Sequence, residues 1–461
     1  MIIWSRALLS ALLLLSSAAG PPPTSTAPAA LDTYVQKQLE ATGVPGAAYA
    51  VIGAEGPQHT AVFGEDGDGE PITAQTPFLW GSVSKPVTAT LVVLLARDGL
   101  LDLEDPVVQH VPSFPDPSTT IRQLLDHTSG LPRGLELTDH YGPGRSATQI
   151  VGALDQQSFG ERKHSYSSLN YVVLAAVAES VTGQSFGRAL QQRLLAPAGM
   201  HSVPADPEQA ERALPPGHRY VLGSVRPFDS RVDAATQAAG YLTGSLGDLA
   251  AFASTQLPGG PVLTDSERDL LHAEQVDDYA LGWRTTTVPG TDEPMVWHGG
   301  AAPGFQAGVL LLPQRNQAVV LLQNAYSPFR DAQLMDTSMG IASLLAGAEP
   351  QVHGPDPLYR VLLAVLSVLA LVLGAVIVRL LLRRNHPRSR SMIWSGAAVT
   401  TLAVGLLALP GQLGVTRSQV FLWAPDVSVL LHLCLGLLAV VAVLSITLRW
   451  RTWRTTVRRP T

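Results

Sequence analysis

Cysteine is all but missing. The single Cys434 in 461 residues leaves no partner for an intrachain disulfide, excludes a cysteine-based zinc site and leaves no thiol for an N-terminal lipid anchor. Lysine is nearly as scarce, at Lys37, Lys85 and Lys163, so a lysine inside a motif carries more information than usual. Charge is sparse too, at 15% of residues, and unevenly divided. Residues 1–355 hold 19 basic and 35 acidic side chains, whereas Asp356 onward holds 12 arginines and two acids, so a net charge of −6 conceals an acidic front and a basic rear. An acidic front half excludes nucleic acid as a partner. The length leaves room for about two to three domains and a core of normal depth.

The chain opens with Arg6, an apolar stretch from Ala7 to Leu15 and the small residues Ser16–Ala19, the three-part plan of a secretory signal over 1–19. A Pro/Ala/Ser/Thr-rich linker over 20–30 follows. After a second joint, 347–357, the composition turns apolar, and transmembrane helices are predicted at 358–382, 391–410 and 426–448, with a basic tail at 449–461. Arg379, Arg383, Arg384, Arg388 and Arg390 lie between the first two spans, and Arg449, Arg451, Arg454, Arg458 and Arg459 follow the third. By the positive-inside rule both segments are cytoplasmic, which predicts a multi-pass protein of the cell membrane with residues 31–346 outside it. The lipid bilayer is thus an expected partner, met through three C-terminal helices.

In the outer region a helix is predicted from Leu31 to Thr42, stopped by Gly43, and strands at Ala47–Ile52 and His59–Phe63. Further strands are predicted at Met295–His298, Phe305–Leu312 and Gln317–Gln323, then a helix from Arg330 to Leu345. Strand signals gather at both ends and helical signals fill the middle. The simplest arrangement is an α/β domain whose antiparallel sheet comes from both termini, flanked by helices, with a helical insertion.

Three separated segments carry chemistry. Trp80-Gly-Ser82-Val-Ser-Lys85 opens an apolar helix, placing Ser82 at or near its N-cap and Lys85 one turn on along the same face. A serine hydroxyl needs a neighbour to take its proton, and an amine serves. Alone the motif is weak, since an ordinary cap followed by a lysine reads identically. Tyr166-Ser167-Ser168 starts a second apolar helix closed by Gly183, and a phenol beside an ammonium can carry protons for the serine. Trp297-His298-Gly299-Gly300-Ala301 is a strand end whose glycines admit close backbone approach. There His298 can polarise the proton network or hold a substrate carboxylate, and backbone N–H groups can receive an oxyanion.

Taken together, these segments resemble the serine β-lactamase and penicillin-binding-protein superfamily, in its class C-related branch. The resemblance extends over about Leu31 to Leu345 and includes Thr120–Pro132, Pro197–Met200, Ala239–Thr243 and Leu281–Trp283, read as scaffold together with His127. It implies a β-lactamase/transpeptidase-like fold, acylation of Ser82, proton transfer shared by Lys85 and Tyr166, and His298 where many relatives carry lysine. It implies an oxyanion hole from the N–H groups of Ser82 and Ala301, with Ser168, Gly299 and Gly300 lining the substrate site, and no cofactor or metal.

One departure stands out: the usual Tyr-x-Asn is here Tyr166-Ser167-Ser168, which weakens recognition of a substrate amide unless a rearranged turn brings Asn170 into play. The leading expectation is a serine hydrolase acting on a small ester, an amide or a cell-wall peptide. The alternatives are a D,D-peptidase or β-lactamase, and a low-turnover sensor or docking protein, because three spans exceed what a tether needs.

Overall fold

The computed structural model describes residues 27–134, 137–141, 145–354, 356–382, 391–412 and 414–457. The secretory-signal reading therefore lies outside the described residues. Helix α1, Pro28–Thr42, stops at Gly43, whose φ of 74° suits a residue without a Cβ. Strands β1 (Gly46–Gly53) and β2 (Gly56–Gly64) follow as a hairpin. Far along the chain come β3 (Arg284–Thr287), β4 (Pro294–Ala302), β5 (Phe305–Leu312) and β6 (Gln317–Gln323). They form one six-stranded antiparallel sheet in the order β2-β1-β6-β5-β4-β3. Ala47 pairs with Gln323, so the two ends of the domain meet at the centre of the sheet.

The central strands are buried on both faces, which is why they read as continuous apolar runs and not as alternating ones. Period-two geometry splits their side chains. Ala48, Ala50, Val309, Leu311 and Val320 join one core with helices α2 (Ser84–Arg97) and α3 (Ser168–Thr182). Tyr49, Val51, Leu310, Val319 and Leu321 join a second with α1 and helix α4 (Asp331–Leu345).

Between β2 and β3 the chain is mostly helical, as expected, but it also builds a hairpin, Gly217–Val221 with Ser224–Phe228, joined in parallel by Ala325–Tyr326. The sequence reading did not anticipate this second sheet, because Arg219, Arg226 and Pro227 interrupt its apolar pattern.

Beyond residue 356 the chain is helical: α5 (Pro357–Leu382), α6 (Ser391–Gln412), α7 (Arg417–Trp423) and α8 (Pro425–Val457). Among the described residues two segments, Pro357–Leu382 and Pro425–Leu448, are long and apolar enough to cross a membrane. Of α6, whose residues 391–401 have no described side chains, Leu402–Gln412 is apolar but shorter than a span.

Candidate active site

The three chemistry-bearing segments converge on one cleft. Ser82 does not cap α2: it sits within a 3-10 turn, Gly81–Val83, and the N-cap is Val83, with no side-chain cap bond. The turn is strained at Gly81, whose φ is 52°. It lets the chain present Ser82 sideways to the cleft while α2 runs inward, with Ser84 to Leu95 entirely buried.

Lys85, fully buried on that helix, points its Nζ 3.0 Å from Ser82 Oγ, 3.3 Å from Ser168 Oγ and 2.7 Å from the Ala239 carbonyl oxygen. Burial pushes the Lys85 pKa below its ordinary value and Arg284 adds to the shift, while Tyr166 opposes it. A neutral amine has two N–H donors and one lone pair. Lys85 Nζ donates to all three oxygens, Ala239 O, Ser168 Oγ and Ser82 Oγ, so an amine that gives up one proton while keeping the first two bonds would turn its lone pair to Ser82 Oγ and could accept the serine proton. The Ala239 carbonyl belongs to a π-helical turn, Gln237–Tyr241, a distortion that often marks a functional site.

Tyr166 stands just before α3, whose N-cap Ser167 accepts from the Leu169 N–H. Its ring centroid lies 4.9 Å from Lys85 Nζ and 5.1 Å from the Arg284 guanidinium. Asn170 faces away: it is buried, and its amide holds Ser129 Oγ at 2.6 Å and His127 Nδ1 at 2.7 Å. It therefore does not stand in for the asparagine that Ser168 replaces.

Strand β4 closes against the Ser82 turn backbone to backbone. A Cβ on Gly300 would fall 1.9 Å from the Trp80 carbonyl oxygen, and one on Gly81 2.4 Å from the Ala301 nitrogen. Beside them Gly299 packs on Met335, whose Sδ would lie 2.9 Å from a Cβ at that position. The β4–β5 hairpin pairs Ala302 with Phe305 and Ala301 with Gln306. Bonded and non-bonded pairs alternate along such a ladder, so with the closing pair bonded across its two-residue turn, Ala301 directs its N–H away from β5 and toward the Ser82 turn. This is the placement an oxyanion hole needs.

His298 is buried, and its ring is occupied: Nε2 lies 3.2 Å from the Tyr279 hydroxyl and Nδ1 2.7 Å from the Gly299 carbonyl oxygen. His298 nevertheless lines the cleft, and to hold a substrate carboxylate it would exchange one of these two bonds for the substrate. On the other side of Tyr279, its hydroxyl lies 3.2 Å from His127 Nε2. His127 Nδ1 accepts from the Asn170 amide and, at 3.3 Å, from the Ser167 N–H. An accepting Nδ1 fixes the tautomer: His127 Nε2–H donates to Tyr279, whose O–H donates to His298 Nε2, whose Nδ1–H donates to Gly299. Burial first, then neighbouring positive charge, holds both histidines well below their ordinary pKa, so the chain of bonds is neutral. His127, read as scaffold, touches neither Ser82 nor Lys85, although its ring packs 4.5 Å from that of Tyr166.

Sequence reasoning missed Tyr279 and Arg284. They flank the Leu281-Gly-Trp283 segment, so that motif was the available signal. Arg284 places its guanidinium 5.7 Å from the rings of both Tyr279 and Trp297 and brings a positive charge to the cleft beside His298. Among the described residues no group of acidic, histidine or cysteine side chains is arranged to hold a metal ion.

Comparison with known proteins agrees with this geometry. The Beta-lactamase family profile matches residues 31–343, and the chain belongs to that family. The chain is 25% identical to Protein flp of Staphylococcus aureus (strain COL) over 469 residues, covering 92% of this chain and 91% of the relative, a match too long to be confined to the catalytic domain. It is 36% identical over 179 residues to penicillin-binding protein 4 of Amycolatopsis lactamdurans, covering 37% of this chain and 47% of that one. The octameric penicillin-binding protein homologue from Pyrococcus abyssi superposes with a TM-score of 0.60 at 22% identity, over 70% of this chain and 78% of its own, which shows the shared fold.

Proposed function

We propose that this chain is a membrane-anchored, extracytoplasmic serine hydrolase that cleaves an ester or amide through an acyl-enzyme on Ser82. The observation that carries the reading is the 3.0 Å contact between Lys85 Nζ and Ser82 Oγ, made by an amine that burial drives toward its neutral form. In the first step Ser82 Oγ bonds to the carbonyl carbon and its proton passes to Lys85. The N–H groups of Ser82 and Ala301 receive the oxyanion. The proton then moves to the leaving alcohol or amine through Tyr166, and the bond to that group breaks. Water repeats the sequence on the acyl-enzyme, releasing the acid. Tyr279 fixes the tautomer and orientation of His298 and is a positioning residue.

Ser168 bears on the choice of substrate. Its hydroxyl is short and lies within reach of Lys85, and Asn170 is engaged elsewhere, so the Ser168 position offers no side-chain amide clamp. Esters and simple amides need no such clamp.

The membrane reading is supported by α5 and α8, where Val361, Val365, Leu371, Val440 and Ile446 stand exposed on helices of spanning length. Arginine clusters follow both helices, which supports a cytoplasmic location for those ends. A C-terminal alkaline phosphatase fusion is expected to be inactive, and activity outside the cell would overturn the orientation.

The hydrolase is tested by labelling the full chain with a fluorophosphonate and by a panel of esters, amides and penicillins. Labelling and turnover are expected in the native chain and absent in Ser82→Ala. Labelling that survives Ser82→Ala defeats the assignment, and a stable penicillin adduct without release would assign a binding role instead.

A further inference from the structure

The cleft around Ser82 does not end at the catalytic domain. A single cavity of about 950 Å³ is lined at one side by Ser82, Tyr166 and Ala301, and at the other by Leu366, Leu409, Val420, Trp423, Val427 and Leu431. That second wall is built from α5, α6, α7 and α8, the helices read above as membrane anchors.

The junction is fastened by directed bonds. Trp423 donates its indole N–H to Asp139 Oδ2 at 2.9 Å, and Gln419 donates to the same carboxylate and to the Thr138 carbonyl, both at 3.3 Å. On the far side the Leu222 N–H donates to Asp426 at 2.7 Å, and the Tyr359 hydroxyl donates to that same side chain. The Trp423 ring meets Tyr326 edge to face at 5.5 Å. These contacts hold the helix ends over the cleft mouth.

The ends concerned are of one kind. Leu366 lies early in α5, Leu409 late in α6 and Val427 early in α8, whereas the arginine clusters sit at the opposite ends. The cavity therefore opens among the outer ends of the helices, where the hydrocarbon of a bilayer begins.

The chemistry of that wall selects the occupant. Its side chains are mostly aliphatic or aromatic, and its polar members, Trp423 and Gln419, are hydrogen-bonded to Asp139 and Thr138. A peptide laid there would leave its own N–H and C=O groups unpaired, which is unfavourable, while a hydrocarbon chain has nothing to leave unpaired. The volume stands at the upper end of the roughly 300–1,000 Å³ range of small-molecule sites, more than a short ester fills.

We propose that the substrate is an ester or amide bearing a long hydrocarbon chain, whose tail lies among the outer ends of the C-terminal helices while its carbonyl meets Ser82. This rests on the hydrolase reading above. The reaction is unchanged: the Ser82 Oγ–carbon bond forms, the bond to the alcohol or amine breaks, its proton comes from Ser82 through Lys85 and Tyr166, and water then splits the acyl-enzyme.

The test uses the full chain in detergent with p-nitrophenyl butanoate, octanoate and dodecanoate. We expect kcat/KM to rise at least tenfold from butanoate to dodecanoate, and Val427→Trp, which fills the helix-lined part of the cavity, to cut that ratio at least tenfold. Because the variant risks misfolding, a second measurement uses the native chain: a dodecyl fluorophosphonate with a terminal diazirine, attached to Ser82 and then irradiated. Crosslinks in 357–382 or 425–448 are expected. Equal turnover of all three esters, or crosslinks confined to 31–346, overturns the long-chain substrate while leaving the hydrolase intact. Failure of every ester and of the Ser82 label overturns the hydrolase itself, and the long-chain substrate with it.

Discussion

Replacing Tyr279 by phenylalanine keeps the ring and removes one oxygen. That oxygen bridges His127 Nε2 and His298 Nε2, at 3.2 Å on each side, in a region closed to water. Its loss leaves a buried N–H without an acceptor and a buried ring nitrogen without a donor. Each unmet group costs about 1–3 kcal/mol, so the variant should lose about 2–6 kcal/mol of stability. At an unfolding entropy of about 2.1 cal/mol/K per residue, a domain of roughly 300 residues shifts by about 1.6 °C per kcal/mol, so the expected fall in melting midpoint is about 3–10 °C. The assay is thermal unfolding of the full chain in detergent, followed by tryptophan fluorescence. Tyr220→Phe is the control, because that hydroxyl makes a single 3.0 Å bond to the Thr42 carbonyl and its loss should cost about 1 kcal/mol. If Tyr279→Phe melts no earlier than Tyr220→Phe, the bridging tautomer assignment is wrong.

Lys85→Met keeps the apolar stem and deletes the base, so kcat/KM should drop by about 10²–10⁴. Stability should fall by no more than about 1–3 kcal/mol, the cost of the buried Ala239 carbonyl left without its donor, and retained turnover would exclude Lys85 as base. Gly81→Ala places a methyl group 2.4 Å from the Ala301 nitrogen on a backbone of φ 52°, which should displace the oxyanion site. We expect a fall in kcat of about 10²–10³, read by burst kinetics, and an unchanged burst would refute that geometry. His127 and His298 are held well below their ordinary pKa, so below about pH 6.5 the unfolded chain binds protons that the folded chain refuses. Stability is full above that pH and falls as pH falls, by up to about 1.4 kcal/mol per pH unit for each group. Asp126, Asp233 and Asp331, whose pKa values burial raises, act in the opposite direction. The comparison is therefore between native chain and His298→Gln: guanidinium midpoints at pH 7 and pH 5 should draw closer together in the variant, and equal separations would exclude a buried neutral His298.

The sheet was legible because its central strands, Gly46–Gly53 and Phe305–Leu312, are buried on both faces and stand out as unbroken apolar runs between glycines. Ser82, Lys85, Tyr166 and His298 were legible only in combination: each segment alone reads as an ordinary helix start or strand end, and the three together carry the resemblance to the serine β-lactamases. Tyr279 and Arg284 were not, since what makes them matter is where the fold sets them, Tyr279 between His127 and His298 and Arg284 against Tyr166. The Gly217–Val221 hairpin was hidden by arginines that interrupt its apolar pattern: Arg219, on the middle strand of that sheet, lies over Phe228 and Phe421. The turn at Ser82 defied a cap reading because Gly81 enters the left-handed region, which no side chain announces. Least legible was the meeting of Asp139 with Trp423, where neither segment carries a pattern of its own.

The pairing of Ala47 with Gln323 has a consequence for the birth of the protein. A ribosome adding roughly 5–20 residues per second needs on the order of 14–55 s to travel from one of these partners to the other. Throughout that interval the eight-residue β1, buried on both sides in the finished molecule, has no neighbour beyond β2. A nascent chain with such an adhesive ribbon near its front must be sheltered until its rear arrives. Assembly of the hydrolase is therefore a late event in synthesis, and truncation anywhere before β6 should yield insoluble chains and not a smaller enzyme.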